Sequence, residues 1–294
     1  MAADRASGNR KRAPRVQFEH VTKHYPTPGG QPVVALDDVS LQIAPGRITV
    51  LVGSSGSGKT TLLRCVNRMV TPTSGRVLID DADVAGLDAV QLRRTIGYVM
   101  QESGLLPHRR VIDNIATVPR LNGTSRRDAH ARGLELMDMV GLNRSLATRY
   151  PGELSGGQQQ RVGVARALAV SPTLLLMDEP FGAVDPIVRA DLQTELRALQ
   201  ADLAATIIFV THDISEALIL GDHVVILAES GRIAQQGSGI ELVAQPADQF
   251  VASFLGLDAE RGLRVCEVAG VPVVVDASGR PIGRLNEPGE RAAR

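Results

Sequence analysis

Short apolar runs alternate along the chain with stretches of helical periodicity. The runs at 48–52, 173–177, 206–210 and 224–228 have the length of buried strands and fall well short of the roughly 20 residues that span a membrane. Between two of them, leucines at 192, 196, 199 and 203 form the apolar stripe of a helix. This alternation predicts an α/β protein with an open, mainly parallel sheet and functional groups at the carboxyl ends of its strands.

Two regions depart from this alternation. Short strands are predicted at 16–19, 35–43, 76–80 and 95–100, and a helix at 61–69. From 105 to 169 strand patterns are absent, and helices are predicted at 114–121 and 125–140. We therefore expect a helical insertion within the α/β domain.

Composition restricts the classes of function. Lys+Arg and Asp+Glu both number 32, so no overall positive charge favours a nucleic-acid partner. Hydrophobic residues make up 44% of the chain, which is typical of the soluble globular protein that we expect. The two cysteines lie far apart in the sequence and fit a reducing compartment. Residues 1–15 are basic but have no apolar segment behind them, so we predict a disordered tail rather than a secretory signal.

A glycine-rich turn, the phosphate loop (residues 53–60), joins the apolar run at 48–52 to the predicted helix. It has the pattern G-x-x-x-x-G-K-[ST], in which backbone N–H groups surround phosphate oxygens and the helix directs its positive end at them. Lys59 is the expected cation for the β- and γ-phosphates, and the Thr60 hydroxyl a ligand for Mg²⁺. The candidate nucleotide-binding residues here are Gly53, Ser54, Ser55, Gly56, Ser57, Gly58, Lys59, Thr60 and Thr61.

Polar residues close three of the predicted strands. Asp178 and Glu179 follow 173–177, His212 follows 206–210, and Gln101 follows 95–100. A carboxylate at such an edge can hold Mg²⁺, and its neighbour can orient or deprotonate a water. Each residue alone also fits a structural role, as a solvated strand end or a packed histidine.

A second glycine-rich turn, at 154–158, also leads into a helix; its residues are Leu154, Ser155, Gly156, Gly157 and Gln158. It is either a helix cap built from Ser155 and the glycines, or a cradle for a nucleotide held by another molecule. The physical chemistry of the sequence leaves both readings open.

The order of these motifs closely resembles the ATPase subunits of ABC transporters over residues 16–255. The resemblance implies a P-loop NTPase fold with an N-terminal antiparallel β subdomain. Two subunits, identical or paired, would hold ATP and Mg²⁺ between them. It also implies roles: Tyr25 stacks on adenine, Gln101 and Asp178 join Thr60 at Mg²⁺, Glu179 is the catalytic base, and His212 is the switch histidine. Residues 154–158 are the signature motif that serves the partner subunit, and Asp185 belongs to the D-loop.

Segments at 65–75, 104–108 and 114–120 are similar to the importers of glycine betaine, choline, carnitine and proline betaine. That similarity implies membrane permease subunits, an extracytoplasmic binding protein, and a peripheral place on the cytoplasmic face of the membrane. Another small solute, such as amino acids, remains an alternative cargo. A nucleic-acid ATPase is disfavoured by the single phosphate loop and the lack of sustained heptads.

Three features depart from that family pattern. Arg109 and Arg110 replace a usually neutral pair in the region facing the membrane subunit, and Val184 replaces a leucine. About 39 residues follow Leu255, too few for the paired CBS modules of related chains. Residues 271–283 resemble one CBS hairpin, so we expect 256–294 to be a remnant extension.

Overall fold

A computed structural model describes residues 12–182, 184–257, 263–268, 270–276 and 278–284, without the side chains of 186–188 and 203. The chain forms two compact units, Met1–Gly239 and Ile240–Arg294. The tail predicted at 1–15 lies outside the described residues as far as Lys11. In the first unit the strands are β1 (Val16–Tyr25), β2 (Val33–Ile43), β3 (Ile48–Gly53), β4 (Ser74–Ile79), β5 (Ala82–Asp83), β6 (Gly97–Val99), β7 (Leu174–Asp178), β8 (Thr206–Thr211), β9 (His223–Leu227) and β10 (Ile233–Gly237).

Four helices of this unit lie between β6 and β7, and the others lie between or after the remaining strands. They are α1 (Lys59–Val66), α2 (Ala89–Thr95), α3 (Val111–Ile115), α4 (Thr117–Leu121), α5 (Arg126–Met139), α6 (Gly156–Leu168), α7 (Pro186–Leu203) and α8 (Ile214–Leu220). A further helix, α9 (Gly239–Ala244), begins on the last residue of the unit.

The central sheet has six strands in the order β10-β9-β3-β8-β7-β6. Every neighbouring pair is parallel except β9 and β10. All residues of β3, β7 and β8 are buried, as expected for strands covered on both faces. The predicted, mainly parallel core sheet is confirmed, and the carboxyl ends of β3, β7 and β8 lie side by side.

A second sheet, in the order β2-β1-β4-β5, is antiparallel throughout. Its apolar residues, Val16, Phe18 and Val21 among them, share one buried cluster with Leu62 and Leu63 of α1. The predicted antiparallel subdomain therefore packs on the helix that follows the phosphate loop. Strand β1 runs to Tyr25, beyond the predicted end at 19, and irregular pairing interrupts its register after Phe18.

The insertion between β6 and β7 is helical, as predicted, but the single helix expected at 114–121 is wrong. The chain forms α3 and α4 with a break at Ala116. Pro119 explains the break, because proline has no N–H to donate to Ile115 and its ring clashes with that carbonyl. Helix α5 starts after Ser125, whose hydroxyl accepts a hydrogen bond from Asp128 N, in agreement with the prediction.

Two other predicted boundaries are also wrong. The helix expected at 61–69 is α1, which ends at Val66 because Asn67 leaves helical geometry and Arg68 adopts a positive φ of 56°. The strand expected at 95–100 is only Gly97–Val99. Thr95 instead ends α2, a helix begun by the Asp88 side chain, which accepts from Gln91 N.

The second unit contains most of α9, then α10 (Gln249–Phe254) and three antiparallel strands, β11 (Arg264–Val268), β12 (Val271–Val275) and β13 (Pro281–Arg284). The predicted hairpin is confirmed by the pairing of β12 with β13. At its turn, Asp276 Oδ1 accepts from Ser278 N and Arg280 N, both at 2.9 Å. Among the residues that the structure describes, no helix combines the length and apolarity needed to cross a membrane.

Candidate nucleotide site

The phosphate loop lies between β3 and α1 at the carboxyl edge of the central sheet. Two of its glycines are required by space. A Cβ on Gly53 would lie 2.3 Å from the carbonyl oxygen of Leu227, and one on Gly58 would lie 2.4 Å from that of Ala35. Gly58 also has a φ of 86°, which L-residues disfavour. The loop can therefore bring its backbone N–H groups together only with glycine at these positions.

The helix after the loop lacks a side-chain cap. Gly58 precedes α1, and no side chain accepts a hydrogen bond from the first turn. The first N–H groups of a helix have no intrahelical partner, and the helix dipole adds partial positive charge there. This end of α1 suits an anion such as a phosphate group.

Lys59 is buried within the loop that it is expected to serve, with 5% of its surface exposed. Its Nζ donates to the carbonyl oxygens of Gly53 at 2.8 Å and Ser54 at 2.7 Å, and to Ser57 Oγ at 3.3 Å. Burial lowers the pKa of Lys59, and the charges of Glu179 and Asp178 partly oppose that shift. The ammonium group is held in place by oxygen acceptors only.

Thr60 and Asp178 bring two oxygen donors together beside Lys59. Thr60 Oγ1 donates to Asp178 Oδ1 at 2.7 Å, and Asp178 is fully buried. Burial raises the pKa of Asp178, while the Thr60 hydrogen bond and the charge of Arg64 lower it in part. Hydroxyl and carboxylate oxygens are ligands that Mg²⁺ prefers.

These donors fit a Mg²⁺ ion shared with phosphates and water. In the described part of the chain, His, Cys, Asp and Glu form no cluster of three that could hold a metal alone. Mg²⁺ is usually bound through one or two protein oxygens plus substrate phosphates and waters, so a sparse set of ligands beside a phosphate loop is what such a site needs.

Arg64 was not identified from the sequence. Its guanidinium lies 3.5 Å from Asp178 Oδ2, and its Nε donates to the Tyr98 hydroxyl at 3.3 Å. An arginine five residues after Lys59 on α1 belongs to no motif, and only the sheet order brings it to Asp178. Arg64 compensates part of the buried negative charge of that carboxylate.

Two predicted residues, Gln101 and His212, contact Glu179, and each of the three residues follows a different strand. Gln101 Nε2 donates to Glu179 Oε2 at 3.3 Å, and His212 Nδ1 lies 3.1 Å from the same oxygen. Glu179 itself has a positive φ of 46°, an unfavourable conformation for glutamate, and its N–H donates to Val210 O at 2.9 Å. The backbone is thus held in a strained state that directs this carboxylate toward Gln101 and His212.

Helix α6 holds the segment around Gln101 through contacts that sequence reasoning missed. Gln160 Nε2 donates to Met100 O at 3.3 Å, and Arg166 donates to the carbonyl oxygens of Ser103 and Gly104, both at 2.7 Å. Burial lowers the pKa of the Arg166 guanidinium. The helix that begins at the second glycine-rich turn is therefore bonded to the strand end that carries Gln101.

The second turn is a helix cap. Ser155 Oγ accepts from Gln158 N at 3.3 Å, and Gln158 Oε1 accepts from Ser155 N at 3.0 Å. This reciprocal capping box confirms the first of the two interpretations of the turn. It does not exclude the second, because the N–H groups of Gly156 and Gly157 have no acceptor within the helix.

Those glycines line a cleft of about 480 Å³, here called the second cleft. Asp185 and Val184 line it as well, together with Ser155, Gln158 and Arg161. No residue of the phosphate loop contributes to its lining. One chain therefore presents two separate candidate half-sites, one at 53–60 and one at 154–158 with Asp185.

Other predicted residues have simpler surroundings. Tyr25 is 39% exposed, and Lys23 Nζ lies 5.1 Å from the centre of its ring. Ser54, Ser55 and Gly56 are exposed, and Thr61 is half-buried on α1. Tyr25 is thus partly exposed, and its predicted contact with adenine stays a prediction.

The fold and this edge of the sheet define a P-loop NTPase. The profile of the family described as ABC transporter matches residues 36–182. The chain is 45% identical to the glycine betaine uptake system ATP-binding protein YehX of Escherichia coli, across 87% of this chain and 81% of that protein. The chain belongs to the ABC transporter family.

Two more similarities describe the neighbourhood within that family. The osmoprotectant import ATP-binding protein OsmV of Salmonella typhimurium is 49% identical over 83% of this chain. The chain spans 64% of the length of OsmV and 60% of the carnitine transport protein OpuCA of Listeria monocytogenes. A solved dimer of the ATP-binding cassette MJ0796 with ADP and Pi aligns at a TM-score of 0.71 and 33% identity, across 76% of this chain and 98% of that one.

Proposed function

We propose that this chain binds ATP with Mg²⁺ at the phosphate loop and hydrolyses it to power an importer of quaternary-amine osmoprotectants. The observation that carries the proposal is the meeting of Glu179, Gln101 and His212 beside Lys59 and Asp178. A module that only binds nucleotide has no need for a strained carboxylate held between an amide and an imidazole.

Each of these side chains has a defined task in the proposed reaction. Lys59 neutralises the β- and γ-phosphates, while Thr60, Asp178 and Gln101 would hold Mg²⁺. The metal, when bound, neutralises charge that develops on the phosphate oxygens. Glu179 accepts the proton of the attacking water, and Gln101 and His212 orient that carboxylate and the water.

We propose that two copies of the chain, or this chain and a paired ATPase subunit, complete each site. The phosphate loop of one subunit would be covered by Ser155, Gly156 and Gly157 of the other. The separate linings of the two half-sites support this arrangement, as does the dimer formed by the similar cassette. Loss of the γ-phosphate would reverse the closure.

The cargo rests on the relatives. Proteins named for glycine betaine, carnitine, choline and proline betaine uptake are all similar to this chain. We propose that residues 16–255 are the ATPase domain and that 256–294 form an appended unit. We also propose that the chain works with permease subunits and an extracytoplasmic binding protein, at the cytoplasmic face of the membrane. We propose no nucleic-acid partner.

A cationic cleft in the helical insertion supports the proposal that a partner protein binds there. It measures about 720 Å³ and is lined by Arg109, Arg110, Arg120 and Arg126, among others. Asp113 also lines it, but its carboxylate lies 2.9 Å from His130 Nε2 and 4.0 Å from Arg126. We propose that the permease contributes an acidic segment here, because Arg109, Arg110 and Arg120 have no carboxylate partner among the described residues.

Uptake of labelled glycine betaine and choline tests the cargo. A strain lacking this chain is complemented with the wild type or with Glu179→Gln under osmotic stress. We expect uptake to return with the wild type only. Restored uptake of amino acids without either quaternary amine would contradict the proposed cargo and leave the ATPase assignment standing.

A further inference from the structure

Arg189 connects three segments of the first unit. It lies on α7, four residues after Asp185, and its Nη2 donates to the carbonyl oxygen of Val184 at 3.2 Å. Its Nη1 lies 3.7 Å from Asp213 Oδ2, and its Nε lies 3.9 Å from Glu216 Oε1. One planar guanidinium therefore contacts the residue before Asp185, the residue after His212, and the first turn of α8.

Glu216 is hydrogen-bonded to Thr211, the residue that precedes His212. Its side chain is 8% exposed. Thr211 Oγ1 donates to Glu216 Oε2 at 2.6 Å, and Gln193 Nε2 of α7 donates to Oε1 at 3.3 Å. Thr211 Oγ1 also accepts from Asp213 N at 3.0 Å. Both neighbours of His212 are thus fixed by the pair formed by Arg189 and Glu216.

Arg189 and Glu216 form an ion pair that is too long for a hydrogen bond. Arg189 Nε is buried and has no hydrogen-bond partner among the described residues, because Glu216 Oε1 is too far away at 3.9 Å. A buried donor without an acceptor is unfavourable. A displacement of the 184–189 segment by less than about one ångström would bring the pair into hydrogen-bond range.

We infer that Arg189 and Glu216 are positioning residues that tie the second cleft to His212 of the same chain. Val184 and Asp185 line that cleft, and His212 lies 3.1 Å from Glu179 Oε2. When a second subunit's nucleotide fills the cleft, movement of 184–185 reaches His212 through the guanidinium. The inference rests on the proposed ATP hydrolysis, and it names a route by which one half-site senses the other.

Arg197 provides a matched control. It lies two turns further along α7 and donates to the carbonyl oxygens of Ile219 at 2.6 Å and Leu220 at 3.3 Å. It also lies 3.8 Å from Asp222. Both arginines join α7 to α8, but Arg197 contacts the far end of α8, away from His212 and Asp185. A merely structural role predicts similar effects for the two.

The test compares steady-state ATP hydrolysis of Arg189→Met, Arg189→Lys, Arg197→Met and Arg197→Lys in the full chain, with melting temperatures. We expect Arg189→Met to lower kcat about a hundredfold, because small misplacement of a catalytic group costs that much. KM for ATP and the melting temperature should match those of Arg197→Met. Arg189→Lys keeps the charge but not the planar fork, so its kcat should be intermediate.

A double variant tests whether the pair acts as a unit. Glu216→Gln should lower kcat alone but add little in the Arg189→Met background, since the two residues serve one connection. Equal kcat losses for the Arg189 and Arg197 variants, or fully additive effects of Arg189 and Glu216, would overturn the inference. If Arg189→Met does not fold, the kcat values of Arg189→Lys and Arg197→Lys are compared instead, and equal losses would again overturn the inference.

The outcomes separate this inference from the proposed function. A wild-type chain that binds ATP without turnover, at any concentration, removes the proposed function and this inference together. A wild-type chain that hydrolyses ATP no faster than Arg189→Met leaves the proposed function intact and removes the role of Arg189.

Discussion

His212 Nδ1 lies 3.1 Å from Glu179 Oε2 at the carboxyl edge of the central sheet. The two residues are 33 positions apart in the sequence, and they meet because β7 and β8 are parallel neighbours. The same carboxylate oxygen accepts a hydrogen bond from Gln101. A proton acceptor held by two polar groups beside a phosphate loop is the arrangement on which the proposed hydrolysis depends.

Glu179→Gln tests the base. Without a carboxylate to take up the proton of water, hydrolysis should fall about a thousandfold, within the range of general-base losses. Binding of ATP should persist, because Lys59 and the loop are unchanged, and the variant should accumulate as an ATP-bound dimer in light scattering. A monomeric variant with normal turnover would contradict the role of Glu179.

Lys59→Ala tests the phosphate loop. Removing the ammonium group leaves the carbonyl oxygens of Gly53 and Ser54 without their buried donor and the phosphates without a counter-charge. We expect ATP binding, measured by calorimetry, to be abolished. Arg132→Ala, which removes a partly exposed cation on α5, is the control and should bind normally. Unchanged affinity in Lys59→Ala would remove the assignment of the loop.

Ser155→Arg fills the second cleft with a bulky cation. The variant should bind ATP as a monomer, since its own phosphate loop is intact, but should not hydrolyse it. Mixing it with Lys59→Ala creates heterodimers in which one of the two composite sites has neither defect. Hydrolysis should therefore reappear in the mixture, and full activity of Ser155→Arg alone would refute shared sites.

How much of this site follows from sequence depends on how local its signals are. The phosphate loop is contiguous, so spacing and glycine content were enough, and apolar runs revealed the strands whose ends carry Gln101, Glu179 and His212. Arg64, Arg166 and Arg189 were missed because each acts through a partner brought near only by sheet order or helix packing. The predicted boundaries of helices and strands were wrong where a single residue sets them, as Pro119 does at the break between α3 and α4.

The stability of the metal-free protein should depend on Asp178. Burial raises the pKa of this carboxyl group, so the folded chain keeps its proton at a pH where the unfolded chain has lost it. Stability then falls as the pH rises from the ordinary carboxyl pKa of about 3.9 through the raised value.

Asp178→Asn removes the ionisable group and therefore the loss of stability that accompanies its ionisation. The amide oxygen of the asparagine can still accept a hydrogen bond from Thr60. In EDTA at pH 7 the variant should melt on the order of a few degrees higher than the wild type. The difference should vanish as the pH approaches about 4. A variant that melts lower by the same amount at every pH would contradict this reading of the site.

The two cysteines should differ in reactivity. Cys65 is fully buried on α1, and burial raises the pKa of its thiol to about 12, with the charge of Lys23 opposing the shift. Cys266, on β11, is partly exposed. Iodoacetamide at pH 8 should label one thiol per native chain and two in denaturant, counted by mass spectrometry. Rapid labelling of Cys65 in the native chain would contradict its placement in the core.

We propose that a single chain carries two half-sites and needs a second subunit to complete either. The most direct measurement is the rate of ATP hydrolysis per chain of the purified wild type, followed on dilution across the dimer dissociation range. We expect this specific activity to fall as dimers separate. A specific activity that stays constant down to concentrations at which only monomers remain would contradict it.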